Sequence, residues 1–268
     1  MSNHNRKKIS NSSIMKNLAF LTLSIFLLSC GGKSLTDPQV IVDKSIEVHG
    51  GDRLKNVFLE FDFRTHHYTL EREGSRFTYT RSIQDSIGVI KDVLLNASKF
   101  KRYLDDTEVI ISTERQAAFT SSVNSVLYFI QLPYPLNDGA VNKEFLGEGE
   151  VEGQQYYKIK VTFGKVGGGE DFEDIFCYWI NKETFTMDYI AYSYEEETEG
   201  IGTRFRKAVN PQRVGGILFQ DYINYKPKKE LGTPPVEDHD RLFIEGQLEE
   251  LSKIENTNIQ VRPLDANS

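Results

Sequence analysis

Apolar residues alternate with charged ones through VFLEFDFR (57–64), and RFTYTRS (76–82) keeps the same period. It recurs in YYKIKVTF (156–163), DIFCYWIN (174–181), FTMDYIAYSY (185–194), TRFRKAV (203–209) and GILFQDYINY (216–225). A period of two sends successive side chains to opposite faces of a strand, so each segment offers an apolar face to a core. The stretches REGS (72–75), GEGEVEGQ (147–154), NKET (181–184) and NPQRVGG (210–216) separate them as turns. A chain with this many short strands, rich in its 13 Tyr and 17 Phe, builds antiparallel sheet.

Helical spacing is confined to a few places. In PQVIVDKSIEVHGG (38–51), Ile41, Ser45 and Val48 share a face, Asp37 caps the start, Pro38 takes the first turn and Gly50-Gly51 stop it. His49 in the last turn is expected to carry partial positive charge toward the carbonyl end. A second helix is expected over TSSVNSVLYFIQ (120–131), ended by Pro133 and Pro135, and a short one in EDHDRLFIEG (237–246). A final strand pair is expected at LEELSK (248–253) and NIQVRP (258–263). The expected fold is α+β, mainly β: a large curved antiparallel sheet or half-open β-barrel, with the N-terminal helix and one or two others packed on it.

Two strands lack a polar face. Phe176, Tyr178 and Ile180 alternate with Ile175, Cys177 and Trp179, and Met187 and Tyr189 alternate with Ile190, Tyr192 and Tyr194. A sheet wetted on one side alternates cleanly, so either both faces here are covered by protein or one lines an apolar hollow.

The N-terminus has its own signature. Residues 1–17 hold Arg6, Lys7, Lys8 and Lys16 and no acid, and an eleven-residue apolar run, Leu18 to Leu28, follows. A bilayer-spanning helix needs ~20 apolar residues, so the run is too short to span and describes a secretory signal, begun at Met1 or Met15. With Leu27 at −3 and Ser29 at −1, the cut resembles the lipobox of bacterial lipoproteins, which implies acylation of Cys30 as the first mature residue. The expected organisation is a signal peptide over 1–29, a lipidated linker over 30–37 and one β-rich domain over 38–268. No acid follows in Gly31-Gly32-Lys33-Ser34, which by resemblance to known sorting rules points to the periplasmic face of the outer membrane.

Removing residues 1–29 takes four basic residues and no acids, and the net charge moves from −7 to −11. So acidic a body is a poor partner for nucleic acid or anionic membrane surfaces. With Cys30 acylated no disulfide can form, and Cys177, among Ile175, Phe176, Tyr178 and Trp179, reads as an inert buried thiol. No metal site or cofactor is expected: His66 and His67 point to opposite faces of a strand, and the acids of GGGEDFED (167–174) lack calcium-loop spacing and read as a solvated hairpin. No catalytic residue is assigned. Asp62, Asp188 and Asp221 are expected on the wet face, pairing with Arg64, Arg81, Arg204 or Arg206.

The helix VDKSIEVHGG followed by LKNVFLEFDF resembles the lipoprotein carriers and acceptors of the Lol pathway (LolA and LolB). The run SVNSVLYFIQLPYPLNDGAVN through YYKIKVTF, DIFCYWINKETFTMDYIAY and FR resembles an uncharacterised lipoprotein family of the Bacteroidetes group. The first resemblance implies a half-barrel with a helical lid over a cavity for acyl chains. In such a cavity Phe61, Phe63, Phe176, Tyr178, Trp179, Tyr189 and Tyr192 are the candidate lining. Leu132, Tyr134 and Leu136 of QLPYPLNDGA either touch a membrane or cargo lipid or plug the barrel end, and the plug is favoured. The expected function is non-enzymatic binding of an acyl chain, lipid or acylated protein. The rivals are a cell-envelope hydrolase or isomerase working through carboxylates in the same cavity, and a protein-interaction module.

Overall fold

The computed structural model describes Met1 and residues 35–165, 173–196 and 200–264, and the fold is that of the unit Lys33–Ser268. Cys30, the signal segment and most of GGGEDFED lie outside the described residues. The unit contains two antiparallel sheets of seven strands each, which do not close into a barrel.

In the first sheet, β1 (Asn56–Phe63), β2 (His66–Glu73), β3 (Arg76–Asp85), β4 (Gly88–Leu95), β5 (Lys99–Leu104) and β6 (Thr107–Val109) run as a meander. The second sheet is a meander of β7 (Val141–Val151), β8 (Gln154–Phe163), β9 (Phe176–Asn181), β10 (Met187–Glu196), β11 (Gly200–Val214) and β12 (Ile217–Pro227). The last two strands, β13 (Leu248–Ile254) and β14 (Asn256–Pro263), do not form the expected pair. Only Glu255 separates them, too short a link for a hairpin. The chain therefore bends, pairing with β12 before the bend and with β1 after it, and one continuous stretch joins the sheets. Asp221 pins the corner by accepting from the Asn256 backbone N–H at 2.9 Å and from Asn210 Nδ2 at 3.3 Å.

The β11–β12 turn explains two glycines. Gly215 and Gly216 have φ of 58° and 81°, the left-handed pair of a tight hairpin. A Cβ on Gly215 would stand 2.7 Å from Val261 in β14, and one on Gly216 would stand 2.6 Å from Arg53 Nε.

Helix α1 (Pro38–His49) is capped by Asp37, whose Oδ1 accepts from Gln39 N at 2.9 Å. It buries Ile41, Val42, Ser45, Ile46 and His49 against the second sheet, with Val48 only half-buried. His49 departs from its expected role. Burial pushes its pKa down and keeps the ring neutral, against the opposing pull of its contact with the Ser45 carbonyl. Helix α2 (Thr113–Ile130) starts seven residues before the expected Thr120 and is capped by Ser112. In the proline turn after it Leu132 and Leu136 are buried and Tyr134 is half-buried, all three packed on the cluster beneath α1, and there is no closed barrel end for them to plug.

The second sheet is covered on both faces, the first of the two alternatives for its aromatic strands. One face holds Tyr157, Ile159, Phe176, Tyr178, Ile180 and Ile190 beneath α1 and the proline turn. The other holds Tyr156, Cys177, Trp179, Tyr189 and Phe205 beneath the segment with α3 (His239–Ile244). A register shift between Met187 and Tyr189 puts Met187 on the face of Ile190, correcting the strict alternation. Three polar contacts fasten the α3 segment: Trp179 Nε1 donates to Asp240 Oδ2 at 3.0 Å, and Lys158 Nζ reaches Asp240 at 2.8 Å and the Glu237 carbonyl at 2.7 Å.

Candidate functional site

The candidate site is the space between the two sheets that α2 fills. Cross-strand register sorts the covered face of the first sheet into rows. Leu59, Leu70, Tyr79, Leu94 and Phe100 stand opposite one another across β1 to β5, and all five are buried. The next row runs Phe61, Tyr68, Arg81, Asp92, Arg102 and Val109 across β1 to β6. A third follows with Ile83, Ile90 and Leu104, half-buried. A charged stripe thus lies between two apolar ones.

Asp92 is 2% exposed and bonds both arginines: Arg81 Nη2 at 2.6 Å, Arg102 Nε at 2.7 Å and Arg102 Nη2 at 2.9 Å. Helix α2 seals the stripe. Arg81 Nη1 donates to Ser122 Oγ at 2.8 Å, and the Arg102 guanidinium lies 3.6 Å from the Phe119 ring centroid. Burial pushes Tyr68 up, opposed by Arg81, and pushes His66 down, with Arg81 adding to the effect.

The far end of α2 is held by Gln131, 1% exposed. Its Nε2 donates to the Leu127 carbonyl and to Tyr79 Oη at 2.9 Å, while its Oε1 accepts from Arg72 Nη2 at 2.8 Å. Between these fastenings α2 fully buries only Val123 and Leu127, while Phe119, Val126 and Ile130 pack half-buried on the same cluster. Tyr128 and Phe129 reach the second sheet, where Phe129 meets Tyr192 at 5.3 Å and Phe176 at 6.2 Å between ring centroids. The Arg206 guanidinium stacks on Phe129 at 3.8 Å. Tyr128 Oη and Tyr178 Oη are buried there, and burial pushes both phenols up from their ordinary value.

Five of the seven candidate lining residues lie in the two clusters that α2 and its proline turn join. Phe61 stacks on Tyr68 at 5.4 Å with Phe63 beside it, and Phe176 stacks on Tyr178 at 5.9 Å and on Tyr192 at 5.5 Å. Trp179 and Tyr189 lie on the opposite face of the second sheet, under α3. The strand carboxylates have partners other than the arginines expected for them. Asp62 accepts from Asn258 and contacts His67, Asp188 accepts from Tyr156, and Asp221 holds the sheet corner. Burial pushes the Cys177 thiol up and leaves it inert, as expected.

Sequence reasoning missed Asp92 and Arg102. The signal lay in hairpin arithmetic: a two-residue link at Ser86-Ile87 sets Arg81 opposite Asp92, and the turn at 96–98 sets Asp92 opposite Arg102.

The fold defines an open, two-sheet α+β protein with a helix wedged between its sheets. The chain belongs to DUF6503, a family of unknown function, whose model matches residues 16–256. No curated protein matches it. Among solved structures it is similar to a LolA superfamily protein from Nitrosomonas europaea, with 12% identity, TM-score 0.49 and coverage of 85% of this chain and 94% of the other. It is also similar to a DUF1329 family protein from Desulfovibrio piger, with 12% identity, TM-score 0.40 and coverage of 83% and 92%. A putative outer membrane lipoprotein-sorting protein domain from Vibrio parahaemolyticus gives 7% identity, TM-score 0.38 and coverage of 83% and 91%.

Proposed function

We propose that this chain is a lipid-anchored, non-enzymatic protein on the periplasmic face of the outer membrane, and that it holds a hydrophobic ligand in the space α2 occupies. The ligand is an acyl chain, a lipid or an acylated protein. One observation carries the binding reading: a helix half of whose 18 residues are polar, with two residues fully buried, covers a sheet face that carries five buried apolar residues in a single row. A cover held by so little apolar surface is the kind of element that opens locally before the sheets do. An aliphatic chain entering beside it gains roughly 25 cal/mol for each Å2 of apolar surface taken from water. Phe61, Phe63, Phe176, Tyr178 and Tyr192 form the aromatic part of the lining. The anchor rests on the sequence alone, through the basic start, the short apolar run and the residues before Cys30.

Native mass spectrometry of the purified protein, with titration of a fluorescent fatty acid, tests the binding reading. Co-purifying lipid or saturable fluorescence is expected. Protein free of lipid that also ignores the probe would end the proposal.

A further inference from the structure

The row Arg81–Asp92–Arg102 sets two guanidinium groups on one carboxylate, leaving an excess positive charge beneath α2 in a protein whose net charge is −7. Among the described residues no second carboxylate comes within 4.0 Å of either arginine. Arg81 uses all three nitrogens, two on Asp92 and one on Ser122. Arg102 gives Nε and Nη2 to Asp92, while its Nη1 carries no hydrogen bond among the described residues. Arg102 also lines a hollow of about 210 Å3, and it is the charged residue in a wall otherwise formed by Ile87, Ile90, Leu104, Ile110, Ile111 and their neighbours. That wall continues to the surface, where Ile87 is 63% and Ile110 98% exposed.

A guanidinium at the head of an apolar groove matches one ligand chemistry, an anionic head on an aliphatic tail. We propose that the Arg102 guanidinium, backed by Arg81, is the head-group subsite of a single-chain amphiphile ending in a carboxylate or phosphate. The tail lies along Ile87, Ile90, Leu104 and Ile111 and continues beneath α2. Arg102 Nη1 offers either head a charge-assisted hydrogen bond, and the second guanidinium beside it adds a further positive charge. Asp92 keeps both arginines in place while the subsite is empty, and the incoming head shares them. This inference rests on the hydrophobic-ligand reading above and names its ligand class.

The test uses the full chain in lipid nanodiscs, irradiated with three diazirine probes of equal length: a fatty acid, an alkyl phosphate and a fatty alcohol. Labelled peptides are quantified by mass spectrometry. An anionic probe labelling β4 to α2 at about ten-fold or more over the alcohol supports the inference, as expected for a charge-assisted contact. Whether acid or phosphate labels more strongly identifies the head. In Arg102→Gln the anionic excess vanishes while alcohol labelling persists, and Arg102→Lys, which keeps the charge, retains part of the excess. Arg102→Lys also serves if the glutamine variant fails to fold. Equal labelling by acid, phosphate and alcohol overturns the head-group subsite but leaves the carrier reading standing, as does an excess that survives Arg102→Gln. No labelling between the sheets by any probe overturns both.

Discussion

His239 is fully buried, and both its ring nitrogens are occupied. Nδ1–H donates to the Pro235 carbonyl at 3.0 Å, and Nε2 shares a hydrogen bond with the Thr203 hydroxyl at 3.0 Å. Burial pushes His239 and His49 down from their ordinary value, outweighing the neighbours that would raise them. Above pH ~6.5 the unfolded rings are neutral too, and the folded state keeps its full stability. Below it the unfolded chain binds protons that the folded chain refuses, so stability falls with pH. The urea midpoint should therefore be lower at pH 5.5 than at pH 7.5. His239→Gln should narrow that gap, because one of the rings pushed down by burial, His49, His66 and His239, no longer titrates. Asp62, Asp106 and Glu152, all pushed down by their hydrogen-bonding partners, stay ionised in both states across this window, and Asp138, pushed up by burial, acts in the opposite direction, so carboxylates do not produce the effect. A gap between the two pH values that His239→Gln leaves unchanged would refute a buried neutral His239.

The elements differ in how firmly they are held, and α2 is the informative one. Its first six residues are exposed, its middle rests on Val123 and Leu127, and its end depends on Gln131. Backbone amides of residues 113–122 should exchange with deuterium faster than those of β9, where all six side chains are buried. Gln131→Ala, which removes the bonds to Tyr79 and Arg72, should speed exchange through the rest of α2 and leave β9 unchanged. Uniform protection of helix and strand would contradict a weakly held cover. The same loose hold explains what the sequence concealed. α1 was legible because its cap, proline and glycine stop are local. The first half of α2 was not, since exposed residues carry no apolar period, and Thr113–Ala118 gave nothing to read. β7 was hidden for a related reason. GEGEV looks like a turn, yet as far as Val151 it is strand, and only Glu152-Gly153 turn the chain. The charged stripe was concealed differently: each member looks like a surface residue alone, and only strand register brings the three together.

At the scale of the molecule, the sequence conveyed class and cover but not the division into two sheets, because a bend at Glu255 leaves no mark in composition or period. It also carried the anchoring reading, which the whole chain must bear out. Two or more acyl chains on Cys30 would suffice for stable attachment where one would not. An alkyne fatty acid fed to expressing cells should therefore label the protein and track with the membrane fraction, and Cys30→Ser should abolish the label. Label that survives the substitution would place the modification elsewhere. The strand that crosses from one sheet to the other has a consequence in time as well as in space. Glu60 stands opposite Gln260, two hundred positions later, so the first strand of the meander has its outer neighbour only after nearly every other residue has been synthesised. A chain that emerges from its N-terminus cannot complete either sheet until its final segment arrives, and docking of that segment locks both at once.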